Sequence, residues 1–295
     1  MIVALVLVSA FLHALWNALL RLEPDKDRGL VAAVVVATIV AAAVAAGRAL
    51  AGEVLFATAP ALAWSLAAGV LEWVYFASLA RALGQGPLGP VYTVSRGGAI
   101  VVAWPLSIAF FAERFAVASA VGSAIVLAGL ALASTSRDDR TFDRSSATLR
   151  VAARPGEAGP FDRRALAWSA ACALAIAGYH LSYKAALAAG GNPSAVFAVA
   201  LAVASAINVT RARGTFAYAR PRWRRIAVMG LVCGGSFLIL LEGLAAGGAG
   251  FVLTLRNTSV LFATALAFAI GDKPRRVQVV GSVAVAAGAV VMAWP

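Results

Sequence analysis

Two arginines, Arg96 and Arg256, lie inside apolar stretches that are long enough to cross a lipid bilayer. A charge held at that depth is costly, so it is rarely retained without a partner or a task. The planar guanidinium group can bind two oxygen atoms of one carboxylate, phosphate or phosphonate group at once. The two arginines therefore predict a polar site within the membrane that receives an anionic group.

Four more charged side chains occur in similar stretches: Arg81, Lys184, Glu72 and Glu242. Arg81 lies near a helix end, from which its long side chain can reach the lipid headgroups, so it is left out of the following count. Together with Arg96 and Arg256, the other three make five charged groups. If all five groups are ionised, three cations face two carboxylates. The surplus positive charge favours an anionic or zwitterionic solute. Another interpretation stays open, in which each arginine forms a structural ion pair with one glutamate and contacts no solute.

Both histidines belong to polar faces of apolar segments. His13 and Asn17 are four residues apart, as are His180 and Lys184, so each pair shares one face of a helix. The aromatic residues beside these pairs are Trp16 and Tyr183. Such faces point into a helix bundle rather than at lipid. They predict either interhelical hydrogen bonds or a site that binds solute and responds to pH, because histidine titrates near neutral pH.

The elements that carry these residues are transmembrane helices. Of 295 residues, 62% are hydrophobic and 13% are charged, with a mean hydropathy of +0.87, which excludes a disordered chain and argues against a soluble domain. The net charge of +12 lies mostly in short loops, which favours contacts with lipid headgroups over nucleic-acid binding. About 20 apolar residues span the hydrocarbon. The ten predicted spans are 2–20, 29–47, 60–82, 88–111, 116–134, 165–188, 194–210, 226–245, 249–270 and 276–294.

The spans form two repeats, 1–134 and 165–295, joined by the basic linker 135–164. His13 matches His180 and Arg96 matches Arg256, in the same order along each half. Five spans per repeat is an odd number, so the second repeat enters the membrane in the opposite sense. Inverted repeats of this kind commonly form a transport site at their interface.

Several motifs of this chain carry a family resemblance. They are HALWN at 13–17, VYTVSRG at 91–97, FAERF at 111–115 and VGSAIVLAGLAL at 121–132, with their echoes in the second half. This pattern resembles the drug/metabolite transporter superfamily, specifically the EamA-type carriers with ten helices in two five-helix repeats. The resemblance implies an all-α integral membrane fold and a transport activity.

The sequence and the resemblance together favour a secondary transporter of the bacterial inner (plasma) membrane. We expect it to move a small anionic or zwitterionic metabolite by alternating access, with a coupling proton as a candidate partner. Three alternatives stay open: an exporter of amino acids or amphipathic cations that binds through the glutamates, a non-transporting membrane subunit, and an enzyme acting on lipid headgroups. Catalytic, metal-binding and phosphate-loop motifs are missing from the sequence, so we expect no enzyme, cofactor, metal or nucleic-acid partner.

Loop charges and the resemblance predict opposite orientations. The loops after the first, fifth, seventh and ninth spans carry 3, 7, 6 and 3 lysines and arginines, 19 in total, when Arg276 at the start of the tenth span is counted with the last loop. The loops after the second and fourth spans carry only Arg48 and Arg114. The positive-inside rule therefore places both termini outside the cytoplasm. EamA-type carriers are generally described with both termini inside, but we adopt the orientation that the charges predict.

Overall fold

The computed structural model describes residues 2–111, 117–134, 163–246, 252, 255–272 and 274–292. These residues are helical apart from turns, short connections and one isolated β-bridge between Phe56 and Gly191. The long helices of the described ranges are α1 (Ile2–Leu22), α2 (Lys26–Leu50), α3 (Ala59–Gln85), α4 (Leu88–Phe111), α5 (Val117–Ser134), α6 (Arg163–Ala188), α7 (Pro193–Arg211), α8 (Trp223–Ala246), α9 (Ser259–Ala269) and α10 (Arg276–Met292). A short helix, Thr215–Ala219, and a 3-10 turn, Arg220–Arg222, precede α8.

Each predicted span coincides with one of these ten helices. Six of the described helices are long and apolar enough to cross a membrane by length and composition, and shorter apolar helices follow at 120–133, 255–269 and 276–291. The predicted span 249–270 falls partly outside the described residues. Most of the predicted linker does so as well, and its last two residues already belong to α6. The division into two repeats with a linker stays a prediction.

Polar caps start α3 in the first half and α7 in the second half. The Thr58 hydroxyl accepts a hydrogen bond from the backbone N–H of Ala61, and the Asn192 side chain accepts one from that of Ser194. Proline in the first turn of each helix suits a position that needs no N–H donor. Thr58 also donates to the carbonyl of Ala189 at 2.7 Å. The two helix starts are therefore tied together.

Helix packing in one half recurs in the other with the partners exchanged. α1 packs on α8 as α6 packs on α3, and α2 packs on α8 as α7 packs on α3. α1 meets α9 as α6 meets α4. Helices in equivalent positions also meet each other, α2 with α7, α4 with α9 and α5 with α10. This exchange is what a two-fold relation between the halves predicts, and the inverted sense of the repeat stays a prediction.

Glycines bring α5 and α10 into direct backbone contact. A Cβ atom at Gly281 would lie 2.6 Å from the carbonyl oxygen of Gly129 and 2.6 Å from the backbone nitrogen of Ala133. A Cβ atom at Gly288 would lie 2.7 Å from the carbonyl oxygen of Gly122. Small residues of this kind let membrane helices approach closely. Backbone atoms cannot rotate aside as side chains can, so an added methyl group would force the helices apart.

We expect Gly281→Ala to lower the free energy of unfolding by about 1–3 kcal/mol, the usual cost of overpacking. The midpoint of thermal unfolding in detergent measures the change. Gly235→Ala is the matched control, because it adds the same methyl group inside α8 where no atom beyond the adjoining turns of that helix lies within 4 Å. Alanine also favours a helix over glycine, so the control should be neutral or stabilising. Equal midpoints for Gly281→Ala and the unaltered protein would contradict the close α5–α10 contact.

Candidate functional site

The two intramembrane arginines point into the helix bundle. Arg96 lies in α4 and Arg256 lies in the helical turn just before α9, so each half of the chain contributes one. Their exposed fractions are 2% and 1%. Protein therefore encloses both guanidinium groups, and neither faces lipid or external water.

The two guanidinium groups meet at His13 of α1. Nη2 of Arg96 contacts Nε2 of the imidazole, and Nη2 of Arg256 lies 2.8 Å from Nδ1. The indole Nε1 of Trp16 also points at Nδ1, at 3.2 Å. A neutral imidazole has one acceptor nitrogen and one N–H group. Because both nitrogens face guanidinium donors, a neutral His13 can accept from only one of the two arginines.

Arg256 has further partners on α1 and α8. Its Nη1 contacts the hydroxyl of Ser9 and donates to the carbonyl oxygen of Ser236 at 3.1 Å. The ring of Phe237 lies 4.8 Å from the guanidinium carbon, within the range of a cation–π contact. The Nε atom of Arg256 is buried and makes no hydrogen bond within the described part of the chain. The guanidinium group thus keeps an unused donor.

Neither arginine forms an ion pair with a carboxylate among the described residues. Glu72 accepts a hydrogen bond from the hydroxyl of Tyr183 at 2.6 Å instead. Glu242 has a side chain that is 42% exposed and pairs with Arg48 at 2.6 Å. The alternative of one glutamate for each arginine is therefore not the arrangement in this structure, and no carboxylate of the described ranges contacts either buried guanidinium group.

Other predicted site residues lie around this centre or beside it. Asn17 donates to the carbonyl oxygen of His13 at 2.7 Å, and its own side-chain oxygen has no partner within the described chain. The ring of His180 lies 4.4 Å from that of Tyr179, and its Nε2 is likewise buried without a hydrogen bond there. Lys184 is half-buried, one helical turn beyond His180. Their roles in binding stay predictions.

Aromatic rings connect His13 to Glu72. The ring of Phe237 lies 5.1 Å from that of His13 and 6.1 Å from that of Tyr179. Tyr179 in turn lies 5.6 Å from Tyr183, whose hydroxyl reaches Glu72. Buried aromatic rings thus form a continuous row from the arginines to the carboxylate of Glu72. Such rings can contact either the apolar part or the cationic group of a solute.

Three residues of this centre were not identified from the sequence: Ser9, Ser236 and Phe237. Ser9 stands four residues before His13, the same spacing that links His13 to Asn17, so the polar face of α1 could have been extended by one turn. Ser236 acts through its backbone carbonyl, which carries no sequence signal. Phe237 resembles any other core aromatic residue in a sequence.

Comparison with known families identifies the second half of the chain. Residues 163–294 match the model of the EamA-like transporter family. This half of the chain is EamA-like. The family lies in the drug/metabolite transporter superfamily, so the resemblance drawn from the motifs is confirmed. EamA-like proteins are membrane transporters rather than enzymes, and the apolar helices of this chain fit a multi-pass membrane protein.

The EamA-like half belongs to a fold that spans the whole chain. A solved crystal structure of a protein is similar to this chain with a TM-score of 0.61, over 98% of this chain and 96% of the other. The two sequences are 16% identical, so this likeness concerns the fold alone. No curated protein matches the chain.

We expect His13→Ala to destabilise the EamA-like fold strongly. The substitution removes the imidazole that two buried guanidinium groups contact. Removing a partner from a buried charge typically costs about 3–5 kcal/mol of unfolding free energy. Thermal unfolding in detergent measures the loss, with Arg48→Gln as a control that breaks a partly exposed ion pair and should cost at most about 1 kcal/mol. If the two variants prove equally stable, His13 does not hold the arginines.

Proposed function

We propose that this chain is a secondary transporter that moves a small anionic or zwitterionic metabolite by alternating access. One observation carries the proposal: two buried guanidinium groups, one from each half, converge on a single imidazole, and no carboxylate of the described residues contacts them. A structural role would be served by an ion pair. Two guanidinium groups that contact one imidazole are better suited to an anion that binds reversibly.

The chemistry of the site favours an anion as the bound group. A carboxylate or phosphate placed between Arg96 and Arg256 would accept hydrogen bonds from both guanidinium groups, whereas neutral His13 accepts from only one of them. The charge of the anion would also offset the cost of holding two cations away from water. His13 would swing aside to admit it. Trp16 and Asn17 would then line the site, and Lys184 would attract the solute at its edge.

Alternating access is supported by polar contacts that tie both halves at one end of the bundle. There Arg21, at the end of α1, pairs with Asp272 at 3.1 Å, and their side chains are 12% and 3% exposed. The same carboxylate accepts from the backbone N–H of Leu88 at the start of α4. Opening this end would break the three-way contact, and rocking of the two halves would then expose the central site.

The main rival is an exporter of amino acids or amphipathic cations that binds through the glutamates. Glu72 is the acid that keeps this rival open, because it is fully buried and one carboxylate oxygen lacks a partner among the described residues. Glu242 supports it less, because it is partly exposed and paired. Small anions should protect the protein against heat under our proposal, and cations alone should do so under the rival.

We expect Arg96→Ala and Arg256→Ala each to reduce transport at least tenfold. A charge-assisted hydrogen bond contributes roughly 1.5–3 kcal/mol, and a tenfold change corresponds to about 1.4 kcal/mol. A thermal-shift screen of small anions, zwitterions and cations supplies the solute, and uptake into proteoliposomes measures transport. Arg28→Ala removes a cation from an exposed pair and serves as the control. Full transport in both folded arginine variants would remove them from the site.

The orientation and the bacterial inner membrane location belong to the same proposal and can be tested together. We expect Ser146→Cys, in the basic linker, to be protected from a membrane-impermeant thiol reagent in intact bacterial cells and labelled in inverted membrane vesicles. Cys172 and Cys233 are both buried, so they provide an internal background. Labelling from outside the cells would place the termini in the cytoplasm and overturn the orientation that the loop charges predict.

A further inference from the structure

A buried carboxylate near the arginines lies beyond their direct reach. Glu72 of α3 has no exposed surface, and its Oε1 accepts from the Tyr183 hydroxyl at 2.6 Å. Its Oε2 is buried and makes no hydrogen bond within the described residues. Glu72 lies within electrostatic range of Arg256 but forms no ion pair with it. This carboxylate therefore has an oxygen available for a partner other than the arginines.

We propose that Glu72 selects solutes that carry an ammonium group, which its free oxygen binds while Arg96 and Arg256 bind the anionic part. This inference rests on the proposed function and specifies the solute class of the same site. An ammonium group is a compact donor of three hydrogen bonds. The rings of Tyr179 and Tyr183 beside Glu72 would add cation–π contacts to it.

The charges of the site narrow the solute class further. With Glu72 ionised, two guanidinium groups and one carboxylate leave one net positive charge among buried residues. A solute with two negative charges and one ammonium group would match each of these groups and neutralise the whole site. An amino dicarboxylate and a phosphorylated primary amine share this chemistry. Simple anions would leave the carboxylate without a cationic partner, so they should bind more weakly than solutes that carry an ammonium group.

The matched solutes needed for a test differ only in the ammonium group. L-aspartate is compared with succinate, and O-phosphoethanolamine with ethyl phosphate, by competition for uptake and by thermal shift of the full chain. The first comparison probes a carboxylate solute and the second a phosphate solute. A site built to bind a polar group strongly rejects analogues that lack it. We expect the unaltered protein to prefer the amine-bearing member of at least one comparison by tenfold or more.

Two variants assign that preference to the carboxylate. Glu72→Gln keeps the shape but removes the charge, so the preference should fall to about one while the amine-free member binds as well as before or better. Tyr183→Phe removes the hydroxyl that contacts Glu72 and leaves its charge, so it should retain the preference.

The outcomes separate the two proposals. If both amine-free and amine-bearing anions bind the unaltered protein without preference, the role of Glu72 is overturned and the anion site stands. An equal loss of both members in Glu72→Gln overturns it as well, because the glutamate would then act on the fold. If no anion binds at all, the proposed function fails and the inference falls with it. The comparison of solutes in the unaltered protein remains a valid test even if a variant fails to fold.

Discussion

Burial of positive charge away from water is the constraint that organises this bundle. The guanidinium groups of Arg96 and Arg256 can stay ionised at that depth only with electron-rich groups around them. His13 supplies the shared acceptor, and Ser9 and the carbonyl of Ser236 complete the surroundings of the second arginine. These groups come from α1, α4, α8 and the turn before α9. The relative placement of four helices thus depends on one small polar centre.

Two kinds of packing surround that centre and differ in how easily they can change. Between α5 and α10 the backbones are in contact at glycines. Apolar surfaces packed this closely have one favourable relative position. At the bundle ends the halves are held by polar pairs, such as Arg21 with Asp272 and Arg48 with Glu242. Polar pairs can be exchanged for water when an end opens. The end contacts are therefore better suited to change during transport than the α5–α10 contact.

The sequence was enough to predict that the site residues lie within the membrane, but not which residues they contact. The apolar stretches around Arg96 and Arg256 were enough to place them inside the bundle, and the four-residue spacing placed His13 and Asn17 on one inward face. Both arginines reach His13 from 83 and 243 residues away, a convergence that only tertiary packing produces. The two glutamates look alike in the sequence. Their surroundings differ because Arg48 of another helix forms an ion pair with Glu242.

The two predicted repeats match in sequence more closely than they match in chemistry. His13 and His180 occupy equivalent positions, yet both arginines turn to His13, and His180 packs against Tyr179 with its Nε2 unused in the described chain. A site that obeyed the two-fold relation would present the same charge on both sides and would bind symmetrical solutes. Because of this departure from two-fold symmetry, both positive charges lie beside α1, and the carboxylate of Glu72 lies near α6. The scaffold supplies two similar halves, and their difference supplies the polarity that would orient a single zwitterionic solute between them.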